Sequence, residues 1–132
     1  MTEKLIFVVD DAKQVADVIA SFLKDAGYNP IIFYNPIDAL TASALVKPDL
    51  LLSDFRMPTM DGLTLATRLT ERYPDCKVLI VTGLPHEAIR HPAFRKFEVL
   101  QKPVSLSLLL DKVAEAIGGG AGDGVGQEAE PL

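Results

Sequence analysis

The sequence predicts a doubly wound α/β domain built on a five-stranded parallel sheet. Strand-like and helix-like segments alternate five times between residues 5 and 117. The strand segments are nearly continuous apolar runs, as expected of parallel strands covered on both faces by helices. The conspicuous polar residues Asp10, Asp11, Asp54, Thr82 and Lys102 all follow or end such runs. In an open α/β sheet that places them on one rim, outside the carboxyl ends of the strands, where ligands bind.

The first strand is LIFVV, Leu5–Val9. The next segment carries Val15, Val18, Ile19, Phe22 and Leu23 at helical offsets 0, 3, 4, 7 and 8, which predicts that this stripe faces the core, and Gly27 closes the helix. PIIFY, residues 30–34, is a shorter strand opening with proline, which suits a sheet edge. Asn35-Pro36 then reads as an N-cap with proline in the first turn, leading into a helix over IDALTASALV.

DLLLS, residues 49–53, is the third strand, with Asp54 after it. Beyond Gly62, a residue expected to shape its loop through a positive φ, Leu65, Ala66 and Leu69 mark a helix that ends before Pro74. KVLIVT, residues 77–82, is the fourth strand. GLPHEAIRHPAFRKF is a poor helix, with prolines at 85 and 92, so a short or irregular element is expected there, with His86 and His91 exposed to solvent. EVLQ, residues 98–101, is the fifth strand, and Ser105 caps a last helix carrying Leu109, Val113 and Ile117 on one face. Residues 1–118 therefore form the domain. Residues 119–132, rich in glycine with almost nothing to bury, form a tail, either a native linker stub or an added segment.

A chain of 132 residues suits one domain with one substantial core, and 48% apolar with 23% charged residues is an ordinary globular balance. The net charge of −5, with no Lys/Arg cluster, argues against direct contact with nucleic acid. Cys76 is the single cysteine, so no intrachain disulfide can form, which fits a reducing compartment. The N-terminus lacks a signal peptide and no apolar stretch approaches the roughly 20 residues that span a bilayer, so a cytoplasmic location is expected.

Three carboxylates converging at about 5 Å would repel by roughly 3 kcal/mol per pair at an effective dielectric near 20. Lys102 offsets one unit of charge, and a divalent cation would offset the other two. All candidate ligands are oxygens, which selects a hard ion, and an open rim with few carboxylates favours Mg²⁺ over Ca²⁺, with Mn²⁺ able to substitute. An Asp54 acyl phosphate would carry about two negative charges on its phosphoryl oxygens. The cation, Lys102 and the Thr82 hydroxyl could share those oxygens, leaving Asp54 as an in-line nucleophile on a rigid strand end.

The motifs VVDD, SDFRMPTMDG, VTG and QKP, in this order and each at a strand end, resemble the receiver domain of two-component response regulators, over residues 4 to about 117. The resemblance implies a flavodoxin-like fold of strand order 2-1-3-4-5; that order is a known property of such folds and is not read from the residues. It further implies that Asp54 is the phosphoacceptor, taking a phosphoryl group from a histidine kinase or a histidine phosphotransfer protein. Asp10 and Asp11 resemble the acidic pair that holds Mg²⁺, Asp11 directly and Asp10 partly through water, and the Arg56 backbone carbonyl completes the protein ligands with Asp54. Thr82 resembles the switch hydroxyl, Lys102 the family lysine, and Lys102-Pro103 its cis peptide bond.

Two residues depart from the family pattern. Val99 stands where an aromatic ring usually follows the switch residue, with Phe97 two positions earlier, and Gly83 stands where alanine is common. The expected protein is thus a stand-alone, single-domain phosphoacceptor that switches conformation to control an unidentified downstream protein, with no enzymatic turnover beyond slow self-catalysed steps. The alternatives are the receiver portion of a hybrid histidine kinase, a degenerate receiver that binds partners unphosphorylated, and a Mg²⁺-dependent phosphatase working through an aspartyl phosphate. Phosphatases of the haloacid dehalogenase type want a second acid where this chain has Arg56. A flavodoxin-like nucleotide binder would want a glycine-rich loop where it has DDAKQV.

Overall fold

A computed structural model describes residues 3–118; the tail expected at 119–132 lies outside them. Five parallel strands, β1 (Leu5–Val9), β2 (Asn29–Phe33), β3 (Leu50–Asp54), β4 (Lys77–Thr82) and β5 (Glu98–Gln101), form one sheet in the order β2-β1-β3-β4-β5. The helices between and after them are α1 (Lys13–Asp25), α2 (Pro36–Ala42), α3 (Gly62–Arg72), α4 (Pro85–Ala88) and α5 (Leu106–Ile117). The sheet alternation sorts the core into two layers. Phe7, Val9, Leu51 and Ile80 point one way, packing with Ala39 of α2 and Leu65, Ala66 and Leu69 of α3. Ile6, Val8, Leu50, Leu52, Leu79 and Val81 point the other way, against Ala16 and Leu23 of α1 and Leu109 and Val113 of α5. Burial on both faces is why these strands read as unbroken apolar runs.

The caps follow the sequence. The Asn35 side chain accepts the Ile37 N–H at 2.7 Å with Pro36 in the first turn, and Ser105 Oγ accepts the Leu108 N–H at 3.0 Å. Gly27 takes φ +97° just past α1. As expected, the β4–β5 crossover is irregular: α4 has four residues, and a single 3-10 turn, Phe94–Lys96, follows.

Four local expectations need correction. The strands β2 and β3 are each displaced by one residue from the predicted bounds, a shift of the size strand ends allow: Asp49 still bonds through its backbone to Leu5 and Lys77. The helix α2 stops at Ala42 instead of running to Val46, since Ser43 is buried and donates its hydroxyl proton to the Leu40 carbonyl at 2.6 Å. On α1 the buried seam is Ala16, Ala20 and Leu23, while Val15 and Val18 are 37% and 50% exposed. The apolar stripe is wide enough for either seam to face the sheet, and the small alanines let the helix sit close. Gly62 does not take a positive φ; Thr59 does, at +74°. Cys76 is buried as a core residue, and burial pushes its thiol pKa up to about 12, so it stays protonated and unreactive.

Candidate functional site

The parallel register brings the ends of β1, β3, β4 and β5 to one rim. Asp10 follows β1, its N–H bonded to the Phe33 carbonyl at 3.1 Å, and it is only 3% exposed. Its Oδ1 accepts the Ala12 N–H at 2.9 Å, which fixes the carboxylate over the start of α1. Asp11, beside it, is exposed. Asp54 ends β3, and its Oδ1 accepts the Phe55 N–H at 2.8 Å. Carboxylate oxygens of Asp10, Asp11 and Asp54 lie within 4.8 Å of one another, so three negative charges share one small volume.

Lys102 is the cation that faces them. Its Nζ lies 3.4 Å from Asp10 Oδ2 and 3.6 Å from Asp54 Oδ1. Its backbone N–H donates to the Thr82 carbonyl at 2.8 Å, and the Lys102–Pro103 peptide bond is cis, as the resemblance implied. One ammonium does not balance three carboxylates. The Asp54 carboxyl is accordingly raised above the ordinary carboxylate range, first by burial and then by the charge of Asp10, against the lowering effect of Lys102. The donor set is all oxygen, partly open to solvent and short of positive charge, and it fits a hard divalent cation such as Mg²⁺.

Thr82, 1% exposed at the end of β4, accepts the Leu84 N–H on its Oγ1 at 2.9 Å. The hydroxyl is therefore tied into the loop that opens the β4–β5 crossover. Arg56 lies two residues beyond Asp54, its exposed side chain reaching α4, where Nη1 donates to both Glu87 carboxylate oxygens at 2.7 and 3.0 Å. A Cβ at position 83 would meet nothing within 4 Å, so Gly83 leaves open space beside the rim. Val99 and Phe97 do pack on the same core layer, as a period of two requires. Met57 and Met60 are buried packing residues, 8% and 9% exposed.

Three features were not foreseen. Asp61 caps α3, its Oδ1 accepting the Thr64 N–H at 2.7 Å; an aspartate just before a helix that opens with Gly62 was the available signal. His91, expected in solvent, is half-buried against Thr64 and Phe55, because the crossover folds back over the loop after β3. His86 is exposed as expected. Beside the acidic rim an apolar groove of about 620 Å³ runs between α1 and the start of α5, lined among others by Val15, Val18, Pro103, Val104 and Leu106. It exists because Val15 and Val18 turned outward.

The family model described as response regulator receiver domain matches residues 6–114. The chain is 33% identical over 116 residues to the response regulator receiver protein CpdR of Brucella abortus, covering 86% of this chain and 97% of that one. It is 34% identical over 119 residues to the DNA-binding transcriptional regulator NtrC of Escherichia coli, covering 89% of this chain. The chain spans about a quarter of the length of its NtrC relatives, 25% in that case. Among solved structures, the CheY-like receiver domain protein of Methanospirillum hungatei is 27% identical with a TM-score of 0.78, over 88% of this chain and 94% of that one. TrrA of Thermotoga maritima, solved with Mg²⁺ and BeF, is 25% identical with a TM-score of 0.78, over 86% and 98% of the two chains. No helix among the described residues is long and apolar enough to cross a membrane. The breadth of the family match, over a fold and a strand order of the same kind, decides membership: this chain belongs to the response regulator receiver domains.

Proposed function

We propose that the protein accepts a phosphoryl group on Asp54 from a phosphohistidine of a histidine kinase or phosphotransfer protein and passes the signal on by a change of conformation. The convergence of Asp10, Asp11 and Asp54 within 4.8 Å beside a single lysine carries this reading. The Phe55 N–H holds Oδ1 and so fixes the plane of the carboxylate, and Oδ2 accepts no hydrogen bond among the described residues. A carboxylate oxygen of Asp54 attacks phosphorus in line; the new O–P bond forms as the P–N bond to the donor imidazole breaks, and the ring nitrogen keeps the electron pair. Lys102 stays within reach of the transferred group. Mg²⁺, held by Asp10, Asp11, Asp54 and the Arg56 carbonyl, would neutralise the phosphoryl oxygens.

The switch begins at Thr82. Its Oγ1 accepts from Leu84, so the hydroxyl proton remains free to be donated to a phosphoryl oxygen. Turning toward that oxygen releases the Leu84 N–H and loosens the start of the crossover, biasing two arrangements of one fold. The aromatic position downstream is Val99, so this change reaches the surface without a swinging ring. Arg56, where a phosphatase of the haloacid dehalogenase type would place its second acid, is a cation paired with Glu87, which supports an acceptor over that kind of enzyme.

Acetyl phosphate is expected to add one phosphoryl group, only with Mg²⁺ or Mn²⁺ present, and none to Asp54→Ala. Intact-mass measurement reads this directly, and label that persists without metal or in the variant contradicts the mechanism.

The groove beside the rim points to a protein donor. An apolar channel flanked by an exposed valine pair suits the side of a helix that carries the phosphohistidine to Asp54. Val18→Arg is expected to slow transfer from a phosphorylated donor protein by about tenfold or more, the cost of a buried charge at an interface. Labelling by acetyl phosphate should stay close to its wild-type rate, since Val18 supplies no charge or ligand to the acidic cluster, although Lys102 also lines the groove. Equal slowing with both donors would place the effect in the chemistry and remove the groove from donor recognition.

A further inference from the structure

His91 has no part in the chemistry described so far, although all its polar atoms are engaged. Its side chain is 18% exposed. Nδ1 accepts the Ala93 N–H at 3.0 Å, so the proton of the neutral ring sits on Nε2. Nε2 lies 3.0 Å from Thr64 Oγ1 and 3.4 Å from Asp61 Oδ1. Thr64 Oγ1 gives its own proton to Asp61 Oδ2 at 3.0 Å, which leaves it an acceptor for the Nε2 proton. One tautomer thus satisfies the whole cluster. The ring also stands edge-on to Phe55, with centroids 6.4 Å apart and planes at 88°.

These partners are the two ends of the loop that follows Asp54. Phe55 opens it; its N–H holds Asp54 Oδ1, and its carbonyl accepts the Gly62 N–H at 2.7 Å. Asp61 and Thr64 close it at the first turn of α3. Arg56 lies between. The imidazole therefore clamps both ends from the crossover side, and only one residue, Phe55, separates it from the acceptor carboxylate.

We propose that His91 is a positioning residue for phosphoryl transfer: by seating Phe55 against the start of α3, it fixes the N–H that orients the Asp54 carboxylate. This rests on Asp54 being the phosphoacceptor. In-line attack is sensitive to small displacements of the attacking oxygen, so the loss should fall on the rate of transfer and not on donor binding.

The test measures single-turnover labelling by acetyl phosphate at saturating Mg²⁺, well below each variant's unfolding temperature. The proteins are wild type, His91→Ala, Thr64→Val, the double variant and His91→Gln. His91→Ala should lower the limiting rate by about tenfold, leaving the half-saturating donor concentration unchanged. The double variant should be no slower than His91→Ala alone, because both substitutions break one link. His91→Gln, which keeps an N–H near the Nε2 position, should recover part of the rate. A purely structural histidine would lower the unfolding temperature and leave the limiting rate of the folded protein at the wild-type value; that result, or losses that multiply in the double variant, overturns the proposal. If His91→Ala does not fold, Thr64→Val decides on the same rate criterion. A wild type that takes no label would bring down the acceptor reading and this inference with it, whereas a labelled wild type with unaffected variants brings down the inference alone.

Discussion

Asp54→Asn is expected to make the metal-free protein more stable. The carboxylate at position 54 is half-buried, shares its surroundings with Asp10 and Asp11, and has its pKa raised above the usual value by burial and by Asp10. Between the unfolded and folded pKa values, the folded protein holds more protons than the unfolded chain. Stability therefore falls as pH rises through that interval, and the penalty is complete above the folded value. Asparagine keeps the shape and removes the charge. Two neighbours at about 5 Å, partly offset by Lys102 and by solvent, leave a net gain of about 1 kcal/mol at neutral pH, or roughly 3–5 °C in unfolding temperature. The difference should shrink to nothing below the ordinary carboxylate pKa, where both proteins are neutral at this position. Mg²⁺ should stabilise the wild type more than the variant, because a ligand that binds only the folded state adds its binding free energy to stability. Thermal unfolding with and without Mg²⁺ across pH 3–8 checks all of this. A variant less stable than wild type without metal would mean that the acids do not strain the fold.

Gly62→Ala is expected to cost more than any other single methyl group added near the site. A Cβ on residue 62 would sit 2.1 Å from the Asp54 carbonyl oxygen, 3.0 Å from its carbon and 3.1 Å from Ser53 Oγ. The obstacle is the backbone of β3, paired on both sides within the sheet, and it cannot turn away as a flexible side chain can. The Gly62 N–H is also committed to the Phe55 carbonyl at 2.7 Å. Relief requires α3 to withdraw or the end of β3 to move. Overpacking of this kind costs about 2–3 kcal/mol, a fall of roughly 10 °C in unfolding temperature. Moving the end of β3 moves Asp54, so phosphorylation should slow as well. An unfolding temperature within about 2 °C of wild type would show that α3 can shift freely.

Legibility from sequence tracked the range of the interactions. The sheet was legible because continuous apolar runs ending in LIFVVDD and LLLSD leave few other ways to bury themselves. The acids, Thr82 and Lys102 were legible because strand ends of a parallel sheet share one rim. Gly62 was misread, since a glycine needed for closeness and one needed for a positive φ look alike until the neighbouring backbone is known. The α1 stripe was misread for a related reason: offsets of 3 and 4 define a band about 100° wide, and which edge of it meets the sheet depends on the alanines at 16 and 20. His91 was placed in solvent because the partners that bury it, Phe55 and Thr64, are 36 and 27 residues away. No local pattern records a contact of that span.

The outward-facing valines of the first helix stand apart from the charged residues they border. If the groove they line seats the phosphoryl donor, substitutions there would retune which donor this molecule accepts while the reacting groups stay as they are. A genome could then keep many copies of one chemistry running side by side, each insulated from the others by a few methyl groups.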